Sequence, residues 1–475
     1  MGVVLVGSYL VVLNTTVLGV ALPDIARDLG STSDIGADWV ITVYLLAVVA
    51  VQPLTAWLAD RAGHKAVYLW SLAAFALGSI LATVAPTLPL LLAARAVQGA
   101  GGGALMPLGM AMVLTVFPPH RRGLVLGIRG VAVMAGPALG PPIGGILVTV
   151  GSWRLIFGSL VPIAVLALVL AATLLRDPGT RSARPLDRGG WLLAFSGIAL
   201  LVVGARQSGA WGFAAPQTIA VLVVGAMLVA WLVHRSLRRS DPLVEMRLFA
   251  VPAFGISVAM VWLVTVVQFA RLNFLPVELQ VLRDLSAADV GLILAPAAIG
   301  VAITMPAGGW LADRIGARLP AVVGLSVLTV TTWALSRLAP DTPVWWVAGV
   351  LAAQGLGTGL MRIPLNVAGM NAVPNRYLTQ AAALRSLNRQ IAGALGTAVL
   401  AAVVISQLGT IAPDVTTAEE VASAQAAYNR VFWLGSVLLL PAVVAAAFLP
   451  GRRGMRDLQA RRAEEYEADQ PSGET

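Results

Sequence analysis

The chain has 475 residues, 58% of them hydrophobic and only 12% charged, with a mean hydropathy of +0.84. A soluble domain carries roughly a quarter charged residues, so this composition calls for lipid as the solvent. The long runs do not alternate apolar with polar residues, which excludes an outer-membrane barrel, and the net charge of +9 sits in short arginine clusters rather than a stripe with interleaved aromatics, which excludes nucleic acid as a partner.

Runs of about 20 apolar residues predict fourteen membrane-spanning helices, at 3–22, 39–58, 66–85, 89–116, 124–149, 155–175, 190–206, 216–233, 254–277, 290–310, 319–337, 343–370, 380–406 and 430–449. The first begins at Gly2 with no basic region before it. Pro23-Asp24 follows instead of a small-residue cleavage site, so it reads as a retained helix, not a signal peptide. The loop after the second run holds Arg61 and Lys65, and the alternate loops downstream are basic in turn, through Arg121/Arg122, Arg176–Arg188, Arg235–Arg247, Arg314/Arg318, Arg376 and the tail from Arg452. Together they hold about 20 of the 32 basic residues, and the opposite loops carry acids such as Asp24, Asp28, Asp34, Asp38 and Asp414. Both termini are therefore expected in the cytoplasm, and the protein in the inner membrane. A miscount by one span would have broken this alternation midway.

The chain also repeats itself. Trp57-Leu58-Ala59-Asp60-Arg61-Ala62-Gly63-His64-Lys65 returns as Trp310-Leu311-Ala312-Asp313-Arg314-Ile315-Gly316-Ala317-Arg318, each time after the second helix of a six-helix block. The expected organisation is a six-helix bundle at 1–175, a linker with an inserted two-helix hairpin at 176–253, a second six-helix bundle at 254–449 and a solvated, largely disordered cytoplasmic tail at 450–475. Two repeats about a central axis, with a site between them near the midplane, is the architecture of alternating-access carriers. Gly63 and Gly316 permit a tight turn, and Asp60 or Asp313 is placed to pair with an arginine across the gap, a conformational latch that desolvation would strengthen. A plain topogenic turn is the other reading of one copy; two copies at matching places argue against it.

On these residues the sequence resembles the major facilitator superfamily, and within it the drug:proton antiporter family with fourteen spans, over nearly the whole chain. The repeated loop is similar to the superfamily's signature between its second and third helices. Leu92-Ala93-Ala94-Arg95-Ala96-Val97-Gln98-Gly99 resembles the helix-four motif, whose arginine the family links to proton coupling. Gly130, then Gly136-Pro137-Ala138-Leu139-Gly140-Pro141-Pro142-Ile143-Gly144-Gly145, resembles the helix-five motif of exporters. Trp153-Arg154 with Pro162, and Asn388-Arg389-Gln390 before Gly393, fit as well. The resemblance implies an all-α polytopic fold of two six-helix bundles plus the hairpin, and proton-coupled export of drugs or antibiotics. The same fold serving a specific metabolite, a siderophore or a self-made natural product, without a proton drive, stays open beside it.

One departure bears on coupling. The family's first helix carries an Asp that this chain replaces with Asn14, and Asn cannot titrate. A census of the acids finds none deep in a span. Glu278 comes closest, with Arg271 seven residues earlier on the same helical face, and Asp24 follows as a weaker candidate. Arg95, Glu278, Asn14 and Asp24 are thus the candidates for proton coupling, and Asn14, Gln98, Gln268, Arg271, Asn388 and Arg389 for the substrate cavity. The spans also hold Arg129, Arg362 and Arg385 against almost no acid, which favours a neutral, zwitterionic or anionic substrate over a cationic one. There is no cysteine, and His64, His120 and His234 lie far apart in predicted loops, so no metal site or cofactor is expected. A membrane enzyme would need a nucleophile with a base at membrane depth, which the spans lack. The expected unit is a monomer in the bilayer, with a small molecule and protons as its partners.

Overall fold

The structure is a computed structural model and describes residues 2–29, 34–175, 185–212, 215–408, 417–458 and 460. Its N-terminal half is built from α1 (Gly2–Asp28), α2 (Asp34–Val51), α3 (Leu54–Ala62), α4 (His64–Thr83), α5 (Leu88–Val116), α6 (Arg122–Val150) and α7 (Arg154–Leu174). A hairpin of α8 (Arg188–Trp211) and α9 (Pro216–Arg238) follows. The C-terminal half comprises α10 (Pro252–Arg283), α11 (Ala287–Ile315), α12 (Arg318–Leu335), α13 (Val344–Asn371), α14 (Leu378–Leu408) and α15 (Ala418–Ala446).

Among the described residues eleven helices are long and apolar enough to cross a membrane, and twelve if the bent pair α2–α3 is one span. The remaining two of the fourteen expected spans are α6 and α14, long helices that carry Arg122 and Arg129, and Arg385 and Arg389. Side chains such as Leu292 and Trp345, 73% and 75% exposed, face outward where lipid would lie. An apolar surface of this kind is normal in lipid, where it costs nothing to leave uncovered.

Sequence-based boundaries shift in places for local reasons. Span two breaks at Gln52-Pro53, where α2 and α3 meet at 54°, because proline lacks the N–H that would continue the ladder. α10 passes through Pro276 to Arg283, and α15 begins at Ala418 rather than 430 because Thr417 and Glu420 form a capping box ahead of it. α8 runs to Trp211, beyond the expected 206.

One core lies within the N-terminal half, and a second joins the C-terminal half to Val4, Val113, Leu114, Val125 and Leu126 of the N-terminal half. The seam between the halves is made chiefly by α6 and α14, each wedged between the first helix of its own half and helices of the other. α6 lies between α1 and α11, while α14 lies between α10 and α5, with α3 at one end. The hairpin attaches by α8, which touches both α2 and α14. Gly136, Gly140 and Gly144 bring α6 against α1, where Thr16 Oγ1 donates to Gly136 O at 3.0 Å. A Cβ on Gly140 or Gly144 would run into Thr16 or Val17, whereas Gly145 faces open space. The side chains of Pro137 and Pro141 lie outside the described residues, as does most of the expected linker at 176–184.

The tail beyond residue 460 is also outside the described residues, but its first turn is docked. Ala317 N donates to Pro450 O at 3.1 Å, Arg318 Nε donates to Leu449 O at 3.0 Å, and Met455 is buried.

Candidate functional site: a cavity between two latched halves

The turns that carry the repeated motif lie at one end of the bundle. Gly63 and Gly316 have φ of 90° and 91°, a left-handed backbone that favours glycine, and each ends a helix so that the next can turn back. Arg61 and Arg314 stack over Trp57 and Trp310, with 5.7 and 4.3 Å between guanidinium carbon and ring centroid.

Asp313 does not take the arginine expected from the sequence. Its two carboxylate oxygens accept from Gly123 N and Leu124 N, both at 3.0 Å. These are the first amides of α6, which have no acceptor inside their own helix and carry the positive end of its dipole. The carboxylate thus caps a helix of the opposite half. Gly123 makes the approach possible, since a Cβ there would collide with Gly309 O and with Asp313 itself. Nearby, Arg122 Nη1 donates to Asn371 Oδ1 at 3.2 Å, and His64 Nε2 lies 3.0 Å from Thr379 Oγ1. Gln52, presented by the break before Pro53, donates to Ser386 Oγ at 2.8 Å and accepts from Gln390 Nε2 at 2.6 Å. The bonds of Asp313, Arg122 and His64 hold the halves together at the motif end, and those of Gln52 join them deeper, at the level of a central cavity.

Above this closure lies a cavity of about 100 Å³ lined by α5, α6, α10, α13 and α14. Arg129, Arg362, Arg385 and Arg389 line it together with Gln268 and Asn366, against a wall that includes Met106, Met110, Val261 and Leu365. At 1.5 Å per residue these arginines stand roughly 10–16 Å from the motif-end termini of their helices, near the middle of a membrane about 30 Å thick. Two of the candidates named from the sequence, Gln268 and Arg389, are therefore in the cavity. Asn14, Gln98, Arg271 and Asn388 are not part of its lining.

Asn14 and Gln98 instead serve Arg95, which is completely buried. Its Nη1 donates to Asn14 Oδ1 at 2.9 Å and to Gln98 Oε1, its Nε donates to Val40 O at 3.0 Å, and its guanidinium lies 4.3 Å from the centre of the Tyr44 ring. A side chain buried this completely does not reach a membrane interface. A buried charge with no carboxylate beside it among the described residues is held by carbonyl dipoles and an aromatic face, and Asn14 supplies one of those dipoles.

Glu278 lies in the other half, also fully buried. Its Oε1 accepts from Gln425 Nε2 at 2.7 Å, while its Oε2 has no hydrogen-bond partner among the described residues. The expected neighbour Arg271 makes no bond to it. Pro276 lies between them in α10, and α15 brings Gln425 to the carboxyl instead, with Gln425 Nε2 also donating to Asn429 Oδ1 at 3.1 Å. Asp24 is only an exposed partner of Arg27, at 3.1 Å on the same helix. Asp28, at the end of α1, binds Trp153 Nε1 at 3.0 Å and also Arg154, tying α1 to α7 within the N-terminal half.

Comparison with known proteins agrees with this architecture. The Major Facilitator Superfamily pattern matches residues 4–397. The chain belongs to the major facilitator superfamily. It is thus a multi-pass membrane transporter and not an enzyme. It is 35% identical over 417 residues to the puromycin resistance protein pur8 of Streptomyces alboniger, covering 84% of this chain and 80% of that protein. It is 30% identical over 485 residues to a multidrug resistance protein B homolog of Mycobacterium tuberculosis, covering 94% and 89%. Among solved structures it resembles the proton:xylose symporter XylE at a TM-score of 0.63 and 15% identity, over 97% of each chain. That likeness speaks for the fold alone.

Within this superfamily member the repeat goes deeper than the loop motif. Gln98 Nε2 donates to Ser79 Oγ at 2.7 Å, and its counterpart Gln354 Nε2 donates to Thr332 Oγ1 at 3.2 Å. Arg129 and Arg385 are likewise counterparts, each seven residues beyond the start of its helix. Sequence reasoning noted these two arginines without placing them in the site; the shared spacing of 256 between Gln98 and Gln354 and between Arg129 and Arg385 is the signal that could have found them. Gln425 as the partner of Glu278 left no signal, because only packing joins α10 to α15.

Proposed function

We propose that this transporter exports small, largely apolar compounds by alternating access, driven by proton influx, with the motif end facing the cytoplasm. The observation that carries the reading is the latch over the cavity. Asp313 binds backbone amides of the opposite half, so the bonds exist only while the halves are closed at that end. Their rupture would open the central cavity to the other side of the membrane. Resistance to puromycin and to multiple drugs in the names of relatives supports export as the direction. Both termini would then be cytoplasmic.

Glu278 is the proposed proton site. Its carboxyl is buried with only the Gln425 amide bonded to it, and a buried carboxylate so thinly compensated is costly, so a proton must accompany it or the site must open. Asn14 leaves the N-terminal half without the family's titrating group, and Arg95 is held there by the oxygens of Asn14, Gln98 and Val40. The arginine-lined cavity also supports a second reading, a carrier for one specific anionic metabolite or natural product.

The test is pH-driven flux in proteoliposomes of the purified chain, with puromycin and a panel of amphipathic compounds, beside Glu278→Gln. Accumulation that follows the imposed gradient, is abolished by an ionophore and is lost in Glu278→Gln while binding persists is the expected result. Flux indifferent to the gradient would leave a carrier of another drive, and a Glu278→Gln variant that still couples would remove Glu278 from the proton path.

A further inference from the structure

We infer that the central cavity binds an amphipathic organic anion, a carboxylate or comparable oxyanion on an apolar body, gripped by guanidinium groups from both halves. This rests on the reading of the cavity as the transport site but makes its own claim about the charge of the cargo.

The lining contains four arginines and no aspartate or glutamate. Two of the four are anchored. Arg129 donates from Nε to Ser8 Oγ at 3.1 Å and from Nη2 to Met106 O at 3.1 Å. Arg385 donates from Nη1 to Ser257 Oγ at 2.9 Å and from Nη2 to Asn366 Oδ1 at 2.7 Å. Every one of these acceptors is neutral, so the bonds fix the orientation of the guanidinium groups without cancelling their charge. Arg362 and Arg389 make no side-chain hydrogen bond to any described residue, and the charge of Arg389 acts on each of the other three.

Like charges crowded into a low-dielectric space repel strongly. A ligand relieves that repulsion only if it brings negative charge, and a guanidinium fork matches the two oxygens of a carboxylate. An amine would add a fifth positive charge. Beside the arginines, Met106, Met110, Val261, Val264, Met361 and Leu365 offer an apolar wall, in which the methionines can adapt to different shapes. The wall fits a greasy body and the arginines fit an anionic head. Arg129 comes from one half and the other three from the second, so the anion bridges the seam.

The test uses three probes on one naphthalene body: 2-naphthoate, 2-naphthamide and 2-naphthylmethylammonium. Titration calorimetry on the full chain in nanodiscs is expected to show the carboxylate binding about tenfold or more tighter than the amide, and the ammonium weakest. Arg389→Gln and Arg362→Gln should each weaken the carboxylate about tenfold, and Arg389→Lys less, since it keeps the charge and loses the fork. Three outcomes overturn the inference: amide or ammonium binding as tightly as the carboxylate, no carboxylate binding at millimolar concentration, or both Gln variants binding it unchanged. If the Gln variants do not fold, the ranking of the three probes by the wild type decides. Flux separates this claim from the exporter reading. Carboxylate binding with no compound of the flux panel moved sinks the exporter and leaves the site, whereas gradient-driven flux of the amide or ammonium without carboxylate binding does the reverse.

Discussion

Asp187 shows how one residue organises the base of the hairpin. It caps α8 by accepting from Gly190 N at 3.0 Å, and it pairs with Arg235 of α9 at 2.6 Å and Arg239 at 3.5 Å. Burial alone would raise its pKa, but the bonds from Arg235 and Gly190 and the two arginine charges outweigh burial and hold it below the ordinary carboxylate value. A depressed folded pKa stabilises the fold above the unfolded value, and that contribution is lost as pH falls through the folded one. Asp187→Asn is therefore expected to cost roughly 1–3 kcal/mol near neutral pH. The melting difference from wild type should hold steady down to about pH 5 and shrink below about pH 4. A difference that persists undiminished at the acid end would mean the carboxylate charge is not what matters. Arg95 and Glu278 stood out in the sequence because ionisable residues in apolar runs are rare. Their partners Val40 O and Gln425 did not, since a backbone carbonyl and a distant amide leave no pattern in the chain.

At the scale of an element, α6 has two jobs along its length. Its first turn receives Asp313 from α11, and farther on Gly136, Gly140 and Gly144 seat it against α1. The glycine-rich stretch was legible in the sequence as a motif, whereas the latch partner was not: an arginine looked apt for Asp313, and the helix terminus won because its amides were otherwise without acceptors. Two charge-assisted bonds of this kind are worth about 1.5–3 kcal/mol each. Asp313→Asn keeps the size of the side chain but loses its charge and one acceptor oxygen, so closure at the motif end should weaken by about tenfold. The chain has no cysteine, so Ala382→Cys in the cavity lining gives a single reporter. An impermeant maleimide added from the motif end should label Ala382→Cys/Asp313→Asn about ten times faster than Ala382→Cys alone. Equal rates would show that Asp313 does not hold this end shut.

For the whole molecule, the hairpin is a strap across the seam. Ile198 and Val202 of α8 cluster with Val49 of the N-terminal half and Leu387 of the C-terminal half, and Trp191 Nε1 donates to Ala50 O at 2.8 Å. Ile198→Ala empties a buried position and is expected to cost about 2–4 kcal/mol, seen as a lowered melting temperature in nanodiscs. Leu192→Ala, at a position 55% exposed on the same helix, should be nearly silent because lipid replaces what it touched. Equal effects from the two would mean the hairpin is not seated on the seam.

Composition, hydropathy and the repeated motif already place the protein in a membrane, as long helices in two related halves with a hairpin between, among the facilitators. Each follows from local physics: lipid demands apolar runs and internally satisfied backbone, tight turns demand glycine at Gly63 and Gly316, and a repeat is visible wherever it conserves such demands. Which polar groups meet is settled by the packing of the helices. That packing drew Asn14 and Gln98 to Arg95, Gln425 to Glu278 and four arginines to one cavity, through contacts between helices that lie far apart in the chain. Hydropathy fixes how a helix sits in the bilayer but says little about its rotation against its neighbours, and that rotation is what makes the site.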